Sequence, residues 1–421
     1  MMRKKQVART DDAQTESLQR LVPTGLVRGR FDAAFAEVAE EFVRGFTARG
    51  ELGASLCVRH AGRIVVDLWG GVADKETRMP WEEDTVLVVF SSTKGAVALC
   101  AHLLAAQGHL RFDQRITHYW PEYGGGNKAG TTVQMVLDHT AGLPVLRSPL
   151  KVDCLEDNAY MVEHVEREQP FWQPGTAHGY HAITFGVVLG ELVRRITGHT
   201  LGALFDQLIA RPHGLDFWIG LPESVEPRVA TILPMSSAEA PKTPFAEALA
   251  CPGSIPNLLV FNAGSWSRRG INTRRGRAVE IPSANGVTNA RGLSGLYELM
   301  QPGAHQRLQG LEASVGRLRE AAKERRLGMD ATLLIPTRFC DGFMLGMDNQ
   351  ASTADGSSLR IGDEAFGHCG SGGSVGFIDP ARSLSFGYTM NRMGSGMLVN
   401  ERGQSLIDAT YLALERPDAS N

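Results

Sequence analysis

Strand-like and helix-like periodicities are segregated along this chain, and their order restricts the fold more than any other feature. Residues 52–59 and 64–69 read as two strands joined by the tight turn Ala61-Gly62-Arg63, and residues 341–348, 374–379 and 383–390 return to the same alternation. Between about 112 and 330 the periodic stretches, such as 185–196 and 201–209, are helical and separated by Gly- and Pro-rich connections. Residues 31–48 carry Phe31, Phe35, Val38, Phe42 and Phe46 at helical spacing, and 403–415 ends the chain with another striped helix. Strands at both ends around a helical middle predict an α/β fold of the α+β kind. The sheet lobe takes about 21–111 and 331–421, is antiparallel and is flanked by the terminal helices. The helical lobe takes about 112–330, and a cleft lies between the two. Residues 21–421 read as a single domain behind a disordered tail of residues 1–20.

Composition narrows the function classes. A chain of 421 residues that is 43% hydrophobic can bury a large core. With a net charge of −3 and no extended basic run beyond Arg3-Lys4-Lys5, nothing favours nucleic acid or a membrane surface. Residues 6–19 lack an apolar secretory core, and no apolar run approaches the ~20 residues of a membrane span, so a cytoplasmic location is expected. The six cysteines are scattered without Cys-x-x-Cys spacing, which argues against a disulfide framework or a zinc site. No metal cluster or phosphate loop is evident, and no cofactor is expected. The oligomeric state is left open.

The chemistry concentrates at Phe90-Ser91-Ser92-Thr93-Lys94-Gly95. Residues three apart on a helix share a face, so the Lys94 amine can reach the Ser91 hydroxyl. Lysine serves as a base only where its pKa is lowered, and Ala96, Val97, Ala98, Leu99, Leu103 and Leu104 supply burial by making the following helix apolar on most sides. Ser91 would stand at that helix's N-terminus, where free N–H groups favour developing negative charge. The same Ser-x-x-Lys spacing recurs at Ser148-Pro149-Leu150-Lys151, where Ser148 reads instead as a helix cap with Pro149 at the first helical position.

Two further pieces complete a candidate cleft. The turn-rich loop Pro174-Gly175-Thr176-Ala177-His178-Gly179-Tyr180-His181 can present Tyr180, whose phenol would hand the serine proton to a leaving group if positive charge on Lys94 lowers its pKa; a half-buried structural tyrosine is the competing reading. Near the C-terminus, Gly367-His368-Cys369-Gly370-Ser371-Gly372-Gly373-Ser374 brings glycines that let backbone approach a ligand. The N–H groups of Ser371 and Ser91 together could form an oxyanion hole. His368 either orients the substrate, tunes Tyr180, or is a buried histidine at a strand start. His139, in the turn before Leu143-Pro144, reads as structural. The Gly-x-Ser-x-Gly at 372–376 is set aside because no helix and no histidine follow Ser374.

In this order the pieces resemble the serine β-lactamase and penicillin-binding-protein superfamily, and within it the class C-like esterase branch, the family VIII carboxylesterases. The resemblance spans roughly residues 30–415. Besides the pieces above it includes Tyr119-Trp120-Pro121-Glu122, Leu137-Asp138-His139-Thr140-Ala141-Gly142-Leu143-Pro144 and Ile281-Pro282-Ser283-Ala284-Asn285-Gly286. It implies a β-lactamase-like fold in which Ser91 is acylated, Lys94 and Tyr180 move protons, and His368, Cys369 and Gly370 line the substrate.

Departures from the family pattern bear on substrate. Penicillin-recognising members carry Tyr-x-Asn and Lys-Thr/Ser-Gly, whereas this chain has Tyr180-His181-Ala182 and His368-Cys369-Gly370. Ala182 cannot hydrogen-bond a substrate amide through its side chain, and a mostly neutral His368 replaces the lysine that would meet a β-lactam carboxylate. The expected function is therefore a carboxylesterase acting on small-molecule, short-chain esters through an acyl-enzyme on Ser91. The enzymatic alternatives are a β-lactamase or D-amino-peptide hydrolase and an acyltransferase, and outside enzymes a catalytically silent binding relative. Residues 233–280 are expected to shape the cleft as a lid, or to be a plain surface insertion.

Overall fold

The computed structural model describes residues 15–235, 242–262, 270–303, 308–324, 328–351, 353 and 356–416. Nine strands make one sheet: β1 Thr15–Val22, β2 Gly25–Asp32, β3 Gly53–His60, β4 Arg63–Gly71, β5 Phe339–Cys340, β6 Phe343–Leu345, β7 Phe366–Cys369, β8 Val375–Asp379 and β9 Leu384–Met390. Their spatial order is β1-β2-β4-β3-β9-β8-β7-β6-β5, and each neighbouring pair is antiparallel. The two chain ends meet where β3 pairs with β9, Leu384 opposite His60 and Met390 opposite Ala54.

Among the helices are α1 Ala36–Ala48, α2 Thr93–Ala106, α3 Thr184–Thr197, α4 Ala290–Glu298 and α5 Glu401–Glu415. Period-two patterning decides which face each covers. On β9, Leu384, Phe386, Tyr388 and Met390 enter the core shared with Phe42 and Phe46 of α1 and Leu406 and Ile407 of α5. The alternate positions, Ser385, Gly387 and Thr389, are small because α4 lies close against them. A Cβ on Gly387 would stand 2.3 Å from the Ala290 carbonyl oxygen. The terminal helices thus cover one face of the sheet, as expected from α1 and α5 being striped, while α2, buried along nearly its whole length, runs through the core on the other.

Three expectations need correction. Residues 15–20 are not part of a disordered tail but belong to β1, paired with β2 throughout; residues 1–14 lie outside the described residues. Only Leu18 and Val22 of β1 are buried, so an edge strand with one face on solvent reads as a polar stretch. The first helix begins later than residue 31, because Phe31 is in β2 opposite Val66, with Arg28 and Arg30 turned outward by the strand period. The lobe boundary near 330 is also displaced, since α4 packs on β8 and β9 of the sheet.

Candidate active site

Ser91 sits in a turn between the short strand Leu87–Val88 and α2. That strand pairs with Gly286–Thr288, Phe90 bridges Asn285, and the Gly286 N–H donates to Thr93 Oγ1 at 2.8 Å. Phe90 itself is left-handed, with φ of 47°, a conformation that costs a bulky residue about 1–3 kcal/mol. Its carbonyl holds the turn by accepting from the Thr93 N–H at 3.0 Å and from the Thr93 hydroxyl. Ser91 is thereby fixed at the mouth of α2, half-buried, two residues before the helix proper.

Lys94 is fully buried, and its Nζ lies 3.2 Å from Ser91 Oγ, 2.8 Å from the Ala182 carbonyl oxygen and 2.9 Å from the Ser283 carbonyl oxygen. Burial pushes the amine well below its ordinary pKa, against a smaller opposing pull from the Cys369 thiol. In the neutral form two N–H bonds serve the two carbonyls, and the nitrogen lone pair is left for the Ser91 O–H. The arrangement is that of a base aimed at a nucleophile. Neither carbonyl was singled out from sequence, because a backbone acceptor carries no residue signature, although Ile281-Pro282-Ser283-Ala284-Asn285-Gly286 was part of the resemblance.

Tyr180 is 6% exposed and faces the same point. Lys94 Nζ stands 4.7 Å from its ring centroid, Phe339 stacks on it at 5.8 Å, and His139 lies 5.0 Å away. Burial raises the phenol pKa well above its usual value; the nearby Ser91 hydroxyl pulls it down, without meeting hydrogen-bond geometry to the phenol oxygen. The expectation that Lys94 would acidify Tyr180 by positive charge is therefore corrected: both groups are driven toward their neutral forms by the same dry surroundings. His139 is structural as expected, its Nδ1 accepting the His181 N–H at 3.0 Å.

The glycine-rich segment follows β7. Cys369, Gly370 and Ser371 line the same cavity as Ser91. Gly370 has a packing reason as well, since a Cβ there would lie 2.2 Å from the Val89 carbonyl oxygen, between the strand Leu87–Val88 and Ser91. Replacing Gly370 with alanine should cost about 2–3 kcal/mol of stability by overpacking and lower ester turnover. Chemical denaturation and kinetics on the same preparation check both effects. His368 is corrected as a substrate-lining residue: its ring is fully buried, is not in the cavity wall, and has its pKa lowered to about 3 by burial and by Lys94. Its ring centroid lies 6.0 Å from that of Tyr180.

The cavity has a volume of about 410 Å³. Phe90, Leu155, Ile183, Phe245, Leu259 and Met393 form much of its wall, and no charged side chain lines it among the described residues. Residues 233–280 therefore do shape the cleft, through Pro234, Met235, Phe245, Leu259 and Val260; Trp266 lies outside the described residues. A buried carboxylate in such a space would meet no cationic side chain among the described wall residues.

The rival motifs fall away in the structure. Ser148 is exposed and caps no helix, since the next helix, Asn158–Arg167, is capped by Asp157. Lys151 is held by Asp157 at 2.6 Å. Ser374 is buried, donates to the Val89 carbonyl at 3.0 Å, and is followed by strand β8 rather than a helix. Among the described residues, Asp138, Cys340 and Asp341 bring possible metal ligands within 4.8 Å of one another, but none lines the cavity, and Asp341 is engaged by Gln134 and Arg317. No described helix is long and apolar enough to cross a membrane.

Comparison with known proteins agrees with this geometry. A curated relative, the esterase/beta-lactamase LipL of Mycobacterium tuberculosis (strain ATCC 25618 / H37Rv), is 33% identical over 388 residues, covering 89% of this chain and 85% of LipL. A crystal structure described as a family VIII carboxylesterase superposes with a TM-score of 0.77 at 34% identity, covering 92% of this chain and 99% of the other. A penicillin-binding protein homolog from Caulobacter crescentus gives 0.79 at 34% identity, with the same coverage of 92% and 99%. The Beta-lactamase family model matches residues 33–410. With the nucleophile turn, the buried lysine and the antiparallel sheet all in place, the chain belongs to the Beta-lactamase family.

Proposed function

We propose that this protein is a serine hydrolase of uncharged carboxylic esters that works through an acyl-enzyme on Ser91. The observation that carries the reading is the buried Lys94 amine, 3.2 Å from the Oγ of Ser91, which lines a cavity without charged walls among the described residues. As Oγ bonds to the ester carbonyl carbon, Lys94 takes the hydroxyl proton, and the N–H groups of Ser91 and Ser371 hold the carbonyl oxygen as its charge develops. Tyr180 gives its phenol proton to the departing alkoxide and regains one from the Lys94 ammonium. The alcohol leaves and the acyl group remains on Oγ. Water then attacks the acyl carbon, its proton is taken through Tyr180 and Lys94, and the acid departs as Ser91 is reprotonated.

A β-lactam or D-amino-peptide reading has less support, because both substrate classes carry a carboxylate and the position of the family lysine holds a buried His368. The LipL relative is named for both activities, so the comparison has to be made directly. Hydrolysis of p-nitrophenyl acetate, butyrate and octanoate should exceed cleavage of a chromogenic cephalosporin by at least ~10²-fold in kcat/KM, the scale set by burying an unpaired carboxylate. Mass spectrometry of quenched mixtures should show the acyl group on the peptide containing Ser91. Preferred cephalosporin cleavage would move the assignment, and transfer of the acyl group to added alcohols in place of water would mark an acyltransferase.

A further inference from the structure

We propose that Asp330 is the positioning residue for Tyr180, an inference that rests on the proton-transfer role given to Tyr180 above. Asp330 is fully buried and does not line the cavity. Its carboxylate accepts the Tyr180 N–H at 3.0 and 3.1 Å, the Thr332 and Leu333 N–H groups at 2.8 Å each, and the Thr337 hydroxyl at 3.0 Å. Among the described residues it has no ion-pair partner. A carboxylate removed from water is costly unless its lone pairs are filled, and here neutral donors fill them, one being the backbone of the phenol-bearing residue.

The loop that presents the phenol is pinned at consecutive N–H groups. Gly179 donates to the His139 carbonyl at 3.1 Å, Tyr180 to Asp330, and His181 to His139 Nδ1 at 3.0 Å. The phenol oxygen has no hydrogen-bond partner of its own among the described residues, so ring packing and these backbone ties set its position. Asp330 heads a tight turn closed by the pairing of Gly328–Met329 with Pro336–Thr337, and the same turn places Leu333 on the cavity wall. One carboxylate thus fixes both the proton donor and a piece of wall next to it.

The test uses full-length Asp330→Asn, Thr337→Val, Tyr180→Phe and the Asp330→Asn/Tyr180→Phe double variant. Reactive sites are counted with a fluorescent phosphonate so that kcat on p-nitrophenyl butyrate refers to folded, competent molecules. Asp330→Asn cannot accept at its amide nitrogen and should lower kcat per reactive site by roughly 10- to 100-fold, the scale of a 1 Å misplacement, with KM within about threefold. Thr337→Val removes one donor to the same carboxylate and the hydroxyl that meets His178 Nε2 at 3.0 Å, but leaves the Asp330 acceptors of the Tyr180 N–H in place, and should lower the melting temperature while lowering kcat less than Asp330→Asn does. In the Tyr180→Phe background Asp330→Asn should add little, because there is no phenol left to position. An equal loss from Asp330→Asn in both backgrounds would overturn the inference and leave Asp330 a purely structural residue. Unchanged kcat in Tyr180→Phe alone would instead remove the reading of Tyr180 and take the inference with it. Should Asp330→Asn not fold, Asp330→Ser still caps the Thr332 and Leu333 N–H groups, releases Tyr180, and is read against the same outcomes.

Discussion

Ser91→Ala is expected to lower kcat/KM for p-nitrophenyl butyrate by about 10⁴-fold or more, the scale seen when an acylated serine is removed and only binding and oxyanion contacts remain. The fold should survive, because Ser91 is half-buried and, among the described residues, its side chain is held by a hydrogen bond with Lys94. Circular dichroism and melting would confirm that, and labelling by a serine-directed phosphonate should disappear. Ser148→Ala provides the matching control, since Ser148 has the same spacing to a lysine but is exposed and away from the cavity. Equal turnover in Ser91→Ala and wild type would sink the mechanism, and loss in Ser148→Ala would point to the wrong nucleophile.

Lys94→Met should be nearly as damaging. The substitution keeps length and burial but removes the lone pair, leaving the Ser91 proton without an acceptor, and the expected loss in kcat/KM is about 10³-fold, toward the upper part of the general-base range. The same residue shapes stability against pH. Folded Lys94 is held well below its unfolded value of 10.5, so between the depressed folded value and 10.5 the unfolded chain binds the extra proton. Stability contributed by this site therefore rises with pH across that window and falls as pH drops through the folded value. In Lys94→Met that slope should vanish, which denaturant melts at several alkaline pH values would reveal. Wild-type turnover should fall on the acid side as Lys94 gains its proton, since the ammonium has no lone pair to offer. A wild-type acid limb that survives unchanged in the residual activity of Lys94→Met would assign the titration to another group.

The contrast between these residues and Asp330 shows where sequence reading reaches. Ser91 and Lys94 are three apart on one helix, so local geometry alone juxtaposes them. The segregated periodicities gave the sheet from both chain ends and its covering helices, because amphipathic patterning is a local consequence of which face meets the core. The edge strand β1 escaped notice since an edge with a solvated face has too few apolar residues to signal itself. Asp330 escaped for a different reason: it lies 150 residues from Tyr180 in the chain, and an aspartate followed by Ala331-Thr332-Leu333 looks like any turn.

The sequence by itself determined the fold class, Ser91 and Lys94 as the candidate nucleophile and base, and Tyr180 as the candidate proton relay, all of which rest on short-range spacing or on motifs whose residue types are chemically specific. Tertiary structure decided the protonation bias and the substrate space. Whether Lys94 is driven neutral depends on total desolvation and on two carbonyls, from Ala182 and Ser283, that lie 88 and 189 residues away. Whether His368 reaches the cavity depends on how its strand is buried, and the uncharged lining among the described residues depends on segments from most of the chain converging. Desolvation and convergence are properties of a closed volume, and no local stretch of sequence contains one.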